Sequence, residues 1–271
     1  MKVKLKSAFL AGVMAMSVAV VPAFAESTET PFAVISVPCP EGSQYFKESW
    51  EKYDHLMARY ADDKTPIALS EYYDGSMFAT VPAEYKDRKI EAYVADEKTF
   101  TDQTDDYEFY LIGRLSAKGV ISGDENGNAL PMNNITRAEA TAMIMRFLGL
   151  DKFDSTDSGF DDVDKDAWYA KVVTAARKAG IVSGDSATEF NPQRNVSREE
   201  LTAMTARGIW YAGLQNENKS ATKADLETFG ITDGDAISPW AYSAYYTLGY
   251  YNILDYDYID NGEDKEPDEI N

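Results

Sequence analysis

The sequence predicts a mainly α fold built from repeated units and preceded by a small α+β region. Three observations carry this. The string Pro131-Met132-Asn133-Asn134-Ile135-Thr136-Arg137-Ala138-Glu139 recurs 61 positions later as Pro192-Gln193-Arg194-Asn195-Val196-Ser197-Arg198-Glu199-Glu200, and such a period marks one structural unit stacked on copies of itself. Each copy of the string follows an apolar stripe at helical spacing that stops at a glycine, Gly119 or Gly180. Ahead of both, short apolar runs alternate with turn residues.

The first 25 residues read as a secretory leader: Lys2, Lys4 and Lys6, an uncharged run from Ala8 to Val21, then Ala23-Phe24-Ala25 as a small-x-small cleavage signal. No later stretch is long and apolar enough to span a bilayer. The leader holds three of the 26 basic residues, so its removal takes the formal charge from −20 to −23. That surface excludes nucleic acid and anionic lipid as partners, since both need basic patches. A local arginine can still govern its own groove, because screening limits each charge's reach to about 8 Å. Cys39 is the one cysteine. It has no partner for an internal disulfide and reads as a partly buried bystander.

Residues 26–97 form the α+β region. Glu26 to Pro40 reads as an extended or flexible lead-in. Phe46, Trp50, Tyr53 and Met57 fall on one face of a helix running from Ser43 to Tyr60. Ile67 to Leu69, Ser76 to Val81 and Ile90 to Val94 read as strands separated by Asp74-Gly75 and Pro82. No catalytic constellation stands out there.

The repeats occupy residues 98–150, 158–213 and 226–271. Their first helices carry Tyr107, Leu111 and Leu115, then Trp168, Val172 and Ala175, then Trp240 and Ala244. In the third, Asn252 takes the place of the terminating glycine. That copy ends at Pro267-Asp268-Glu269-Ile270-Asn271, where an arginine string would be due. The expectation is an incomplete third repeat, through truncation or through assembly with another chain that covers its apolar surface.

The duplicated string divides by job. Thr136 with Glu139, and Ser197 with Glu200, are capping boxes in which the hydroxyl accepts from the N3 amide and the glutamate returns to the cap's own N–H. Such a cap contributes roughly 1 kcal/mol. Arg137 and Arg198 stand at the first helical position, where a cation is mildly unfavourable against the helix dipole. With free backbone N–H groups they could build an anion site, gripping a carboxylate bidentately. The other reading is a salt bridge to an acidic loop of the neighbouring repeat. Composition and spacing leave both open.

Taken together, Phe-x-Asp, a Trp-led helix ending at Gly-Ile or Gly-Val, Ser-Gly, and Pro-x-x-x-[Ile/Val]-[Thr/Ser]-Arg-x-Glu resemble the S-layer homology (SLH) domain. The resemblance covers about residues 98–271, and Thr136-Arg137-Ala138-Glu139 carries the family's core motif. It implies three repeats in a pseudo-threefold helical module with grooves between neighbours. It also implies a secreted protein tethered non-covalently to the bacterial cell wall, through a secondary, commonly pyruvylated, wall polysaccharide or another peptidoglycan-linked glycan. By position, Arg137 and Arg198 become the contacts to the acidic sugar. Asp102 and Asp162 match the Phe-x-Asp aspartate, Trp168 and Trp240 the groove tryptophan, and Gly123 and Gly184 the turn glycine. Tyr107 replaces the tryptophan in the first copy and Tyr256 the turn glycine in the third.

Other chemistry finds little support. The acid-rich loop from Asp151 to Asp166 lacks EF-hand spacing and reads as a solvated loop. His55 has no metal-ligating neighbour at suitable spacing, and no phosphate loop or nucleophile elbow is present. No cofactor is implied. The expectation is a non-enzymatic wall-binding protein. The rivals are a wall hydrolase targeted by its repeats and a self-associating S-layer component.

Overall fold

The computed structural model describes residues 31–39, 56–73, 76–95, 99–103, 107–213, 220–251 and 253–254. The leader, the helix expected over 43–55, His55, Asn252, Tyr256 and the C-terminal segment from 255 lie outside the described residues, as does the side chain of Tyr107.

The N-terminal part is built of strands. In one sheet β1 (Phe32–Pro38) and β4 (Ser70–Tyr73) flank β5 (Ser76–Pro82); in the other β3 (Pro66–Ile67) and β6 (Ile90–Val94) flank β2 (Leu56–Tyr60). Every pairing is antiparallel, with Phe32 opposite Pro82 and Leu56 opposite Val94. Val37, Ala58, Tyr60, Ile67, Met77, Val81 and Ile90 form one apolar core. The strands expected at 76–81 and 90–94 are present, and the described part of the lead-in is extended because β1 pairs along the whole of β5.

Two expectations are corrected. Leu56 to Tyr60 is a strand, not the end of a helix: four of its five residues are buried, on both faces of the pleat, which short apolar runs adopt when a second sheet covers them. The strand expected over Ile67–Leu69 stops at Ile67, because the chain crosses there from one sheet to the other. Ser70 pins the crossing: its Oγ donates to Ile67 O at 2.8 Å and accepts from Ala58 N at 3.3 Å.

The remainder is helical: α1 (Tyr107–Ala117), α2 (Arg137–Phe147), α3 (Ala170–Lys178), α4 (Arg198–Tyr211), α5 (Lys223–Glu227) and α6 (Tyr242–Tyr250). Gly119 and Gly180 follow α1 and α3 at φ +74° and +71°, the left-handed conformation that lets a glycine end a helix cheaply. Both expected capping boxes are formed, and Thr136 and Ser197 share nearly the same backbone angles (φ −79° and −80°, ψ 162° in each). The repeat therefore extends to local geometry. α2 packs on α3 and on α4, and α4 packs on α6, so each repeat's capped helix also meets the first helix of the next.

One apolar core runs from Phe100 through Phe160 and Phe190 to Tyr245, Leu248 and Leu254, and it takes in Phe32, Ala68 and Leu69 from the strands. The strands and the first repeat are thus joined. The buried Lys118, just past α1, donates from Nζ to Ala68 O at 2.7 Å and Ser70 O at 3.3 Å. Lys152 Nζ reaches Asp63 at 2.9 Å and Thr65 Oγ1 at 2.7 Å. Lys118→Met keeps the aliphatic stem but leaves the two carbonyls without this donor. It is expected to lower the unfolding free energy by roughly 2 kcal/mol, measured by urea denaturation.

Candidate functional site

The loops that carry the proline strings are fixed by the Phe-x-Asp aspartates. Asp102 accepts from Ala129 N and Leu130 N, both at 2.8 Å; Asp162 accepts from Phe190 N at 2.8 Å and Asn191 N at 2.6 Å. Each carboxylate thereby holds a residue of positive φ, Leu130 at 52° or Asn191 at 57°. The turn glycines are required sterically. A Cβ on Gly123 would lie 2.7 Å from the Phe100 ring, and one on Gly184 would lie 2.3 Å from Ser186 O. These four residues shape the loops.

The two copies of the string meet. Thr136 and Asn195 form an antiparallel bridge, Val196 N donates to Ile135 O at 3.0 Å, Arg137 N to Arg194 O at 2.9 Å and Ala138 N to Pro192 O at 3.0 Å. The amides that open α2 are thus occupied by the second string. The Arg137 side chain is enclosed at the same junction. Its Nε donates to Phe190 O, Nη1 to Glu200 Oε1 and Nη2 to Ser183 O, each at 2.9 Å, and only 4% of the residue is exposed. Burial lowers its pKa while the charges of Glu200 and Asp185 raise it.

Glu200 serves two purposes. As the capping glutamate it accepts from Ser197 N at 2.8 Å. It also binds Arg137, and Arg194 at 2.6 Å, while Arg194 holds Asp185 at 2.9 Å. Burial alone would raise the Glu200 carboxyl, but the Arg194 hydrogen bond, the Ser197 amide and the Arg137 charge outweigh it and hold it at about 2 instead of 4.5. Of the two readings open for the arginines, Arg137 displays the salt bridge to the neighbouring repeat.

Arg198 sits differently. Among the described residues its guanidinium has no ion pair or hydrogen bond, and the amides of Arg198 and Glu199 have no partner. Its guanidinium carbon lies 5.8 Å from the centre of the Tyr245 ring, on α6. Glu199 accepts from Ser238 N at 2.7 Å, which ties the start of α4 to the short 3-10 turn Pro239–Ala241 carrying Trp240. Trp240 is 56% exposed and Trp168 59%, so both present aromatic surface to solvent. The structure gathers Arg198, Tyr245 and the Trp240 turn at one junction, and Arg137, Arg194, Asp185 and Glu200 at the other.

Sequence reasoning missed Arg194, Glu199 and Tyr245. Arg194 stands in the string itself but has no counterpart in the first copy, where Asn133 occupies the position. Tyr245 stands among several tyrosines of the third unit whose helical spacing suits packing for most and sugar stacking for some; it is buried, and its ring lies toward Arg198.

Residues 99–141 and 159–202 match the S-layer homology domain. Both SLH segments end within the first two turns of a capped helix, so each holds the aspartate, the turn glycine and the arginine string described above. Known proteins similar to this chain are of two kinds. An amylopullulanase of Thermoanaerobacterium thermosulfurigenes is 37% identical over 147 residues, 54% of this chain and 7% of that protein. The exoglucanase XynX of Acetivibrio thermocellus is 33% identical over 144 residues, covering 53% and 12%. The surface-layer 125 kDa protein of Lysinibacillus sphaericus is 36% identical over 137 residues, covering 51% and 10%. The chain spans about a tenth of the length of these relatives. No helix among the described residues is long and apolar enough to cross a membrane.

The two SLH arginines are expected to differ in their effect on stability. Arg137→Ala breaks a buried pair and should cost roughly 3 kcal/mol, while Arg198→Ala should change stability by less than about 0.5 kcal/mol. Because the Glu200 carboxyl is depressed, its contribution is present above pH 4.5 and is lost as pH falls toward 2. The gap between wild type and Arg137→Ala, read from denaturation at a series of pH values, should narrow over that window.

Proposed function

We propose that the chain is an exported, non-enzymatic anchoring protein that holds a bacterial cell-wall polysaccharide in the groove between its second and third units. Arg198 is the contact to an acidic substituent of the glycan, such as a pyruvyl ketal carboxylate. The observation that carries this reading is the state of Arg198: a guanidinium without an internal partner among the described residues, at the open start of a fourteen-residue helix. Helix N-termini favour anions, and arginine binds carboxylates in a planar, bidentate fashion. Tyr245 backs the guanidinium and the exposed Trp240 offers a flat face to a sugar ring.

Arg137 has a different part in this proposal. It is the internal tie between the first two repeats, and it shapes the Asp185–Arg194 rim of the first groove instead of meeting the ligand by itself. The third unit, with α6 against α4 as α3 lies against α2, supports a module of three units about a pseudo-threefold axis. Relatives named as glycosidases and as surface-layer proteins share the same repeats, which agrees with a targeting or anchoring role for them.

The test is co-sedimentation of the purified protein with isolated Gram-positive cell walls. An arginine–carboxylate contact contributes roughly 1.5–3 kcal/mol, so Arg198→Ala should weaken binding about tenfold or more. Extracting the polysaccharide from the walls should abolish binding altogether. If Arg198→Ala sediments as well as wild type, the groove assignment fails. If the protein degrades the walls it binds, the non-enzymatic reading fails.

A further inference from the structure

A second cleft, of about 70 Å³, lies where the strands meet the first repeat. On the scale where one water needs roughly 10–15 Å³, this is room for a group of a few heavy atoms. Its walls include Arg88, Lys118, Arg146 and Lys152 against a single acid, Asp151. That balance runs against a chain with 46 acidic and 26 basic residues.

The cations are not equally engaged. Arg88 pairs with Asp62 and Asp63, and Lys152 pairs with Asp63. Arg146, in the last turn of α2, has no carboxylate partner among the described residues, and its one hydrogen bond is a long 3.4 Å contact from Nη1 to Val120 O. A second, independent feature borders the same cleft. Thr80 is 2% exposed, and its side-chain hydroxyl is buried without a hydrogen-bond partner. Buried polar groups are rarely left unmatched, and such a group marks either a missing ligand or a missing water. A hydroxyl donor, a guanidinium without an ion pair among the described residues and a buried ammonium are groups that suit an oxyanion.

We infer that this cleft is a binding site for a small oxyanion, a carboxylate or phosphate group, separate from the groove at Arg198. Arg146 supplies the charged fork, Thr80 a hydroxyl donor, and Lys118 a fixed positive charge in the wall. The matching position in the second repeat is Arg207, whose Nη1 makes the counterpart contact to Ile181 O at 3.5 Å and also donates to Ser183 Oγ at 3.2 Å. The cleft belongs to the first repeat because that is where the strands close over it.

The experiment is an NMR titration of the full chain, with inorganic phosphate in one arm and acetate in the other, both in chloride buffer at constant ionic strength. Saturable millimolar binding is expected in at least one arm, and the arm that saturates identifies the anion as phosphate or carboxylate. Arg146→Gln should weaken it roughly tenfold, as loss of a charge-assisted pair does, while Arg146→Lys retains part of it. Thr80→Val, which keeps the side-chain shape, should weaken it severalfold, and Arg198→Ala should leave the saturable shifts at Arg146 and Thr80 unchanged. The proposal is overturned if neither anion saturates, or if Arg146→Gln and Thr80→Val titrate like wild type. Loss of binding in Arg198→Ala alone would assign the anion to the other groove and equally overturn it.

Discussion

The junction around Arg137 holds the first two repeats in register. One guanidinium there spends its three nitrogens on two loop carbonyls and the capping glutamate of the next repeat. The same short segment supplies the backbone partners for the first two amides of α2. Each part of the second repeat's loop is therefore anchored to the first repeat's helix: Ser183 and Phe190 through their carbonyls, Pro192 and Arg194 through theirs, and Glu200 through its carboxylate. A buried charge is costly unless paired and hydrogen-bonded, so this arrangement specifies one relative position of the repeats. Arg194 and Asp185 extend the network outward and complete an alternating set of two cations and two anions.

The repeat rule gives the same residue two fates. Repeat one is followed by a second string that docks onto the start of its capped helix. Repeat two is followed by a unit whose described part contributes α5, α6 and their turns but no such string. Arg137 is consequently enclosed and ion-paired, while among the described residues Arg198 has no ion pair, an open helix start and Tyr245 as aromatic neighbour. A cation fully matched inside the protein has little left to offer a ligand. The proposed function rests on the other case: a guanidinium without an ion pair among the described residues, near exposed aromatic surface.

Much of this was legible in the sequence where the signal is local. Capping boxes, helix-ending glycines and the strands at 76–81 and 90–94 depend on residues a few positions apart, and these appear as expected. The strand at Leu56 to Tyr60 was not legible, because its burial comes from β3 and β6 on either side and from the opposing sheet, none of which its own spacing records. The role of Arg137 was hidden for a related reason. Its partner Glu200 lies 63 positions away and already had a sufficient explanation as a capping residue. Asp102, Asp162, Gly123 and Gly184 matched the family pattern by position, and the structure gives each a backbone or steric reason to be there.

The central claim is that two arginines at matching positions have opposite availability. Side-chain ¹⁵N NMR of the arginine Nε–Hε groups tests it directly, with a methyl glycoside carrying a pyruvate ketal as titrant. The account predicts that the Arg198 resonance shifts saturably while the Arg137 resonance, hydrogen-bonded to Phe190 O, stays in place. A saturable shift of Arg137 with Arg198 unmoved would contradict it.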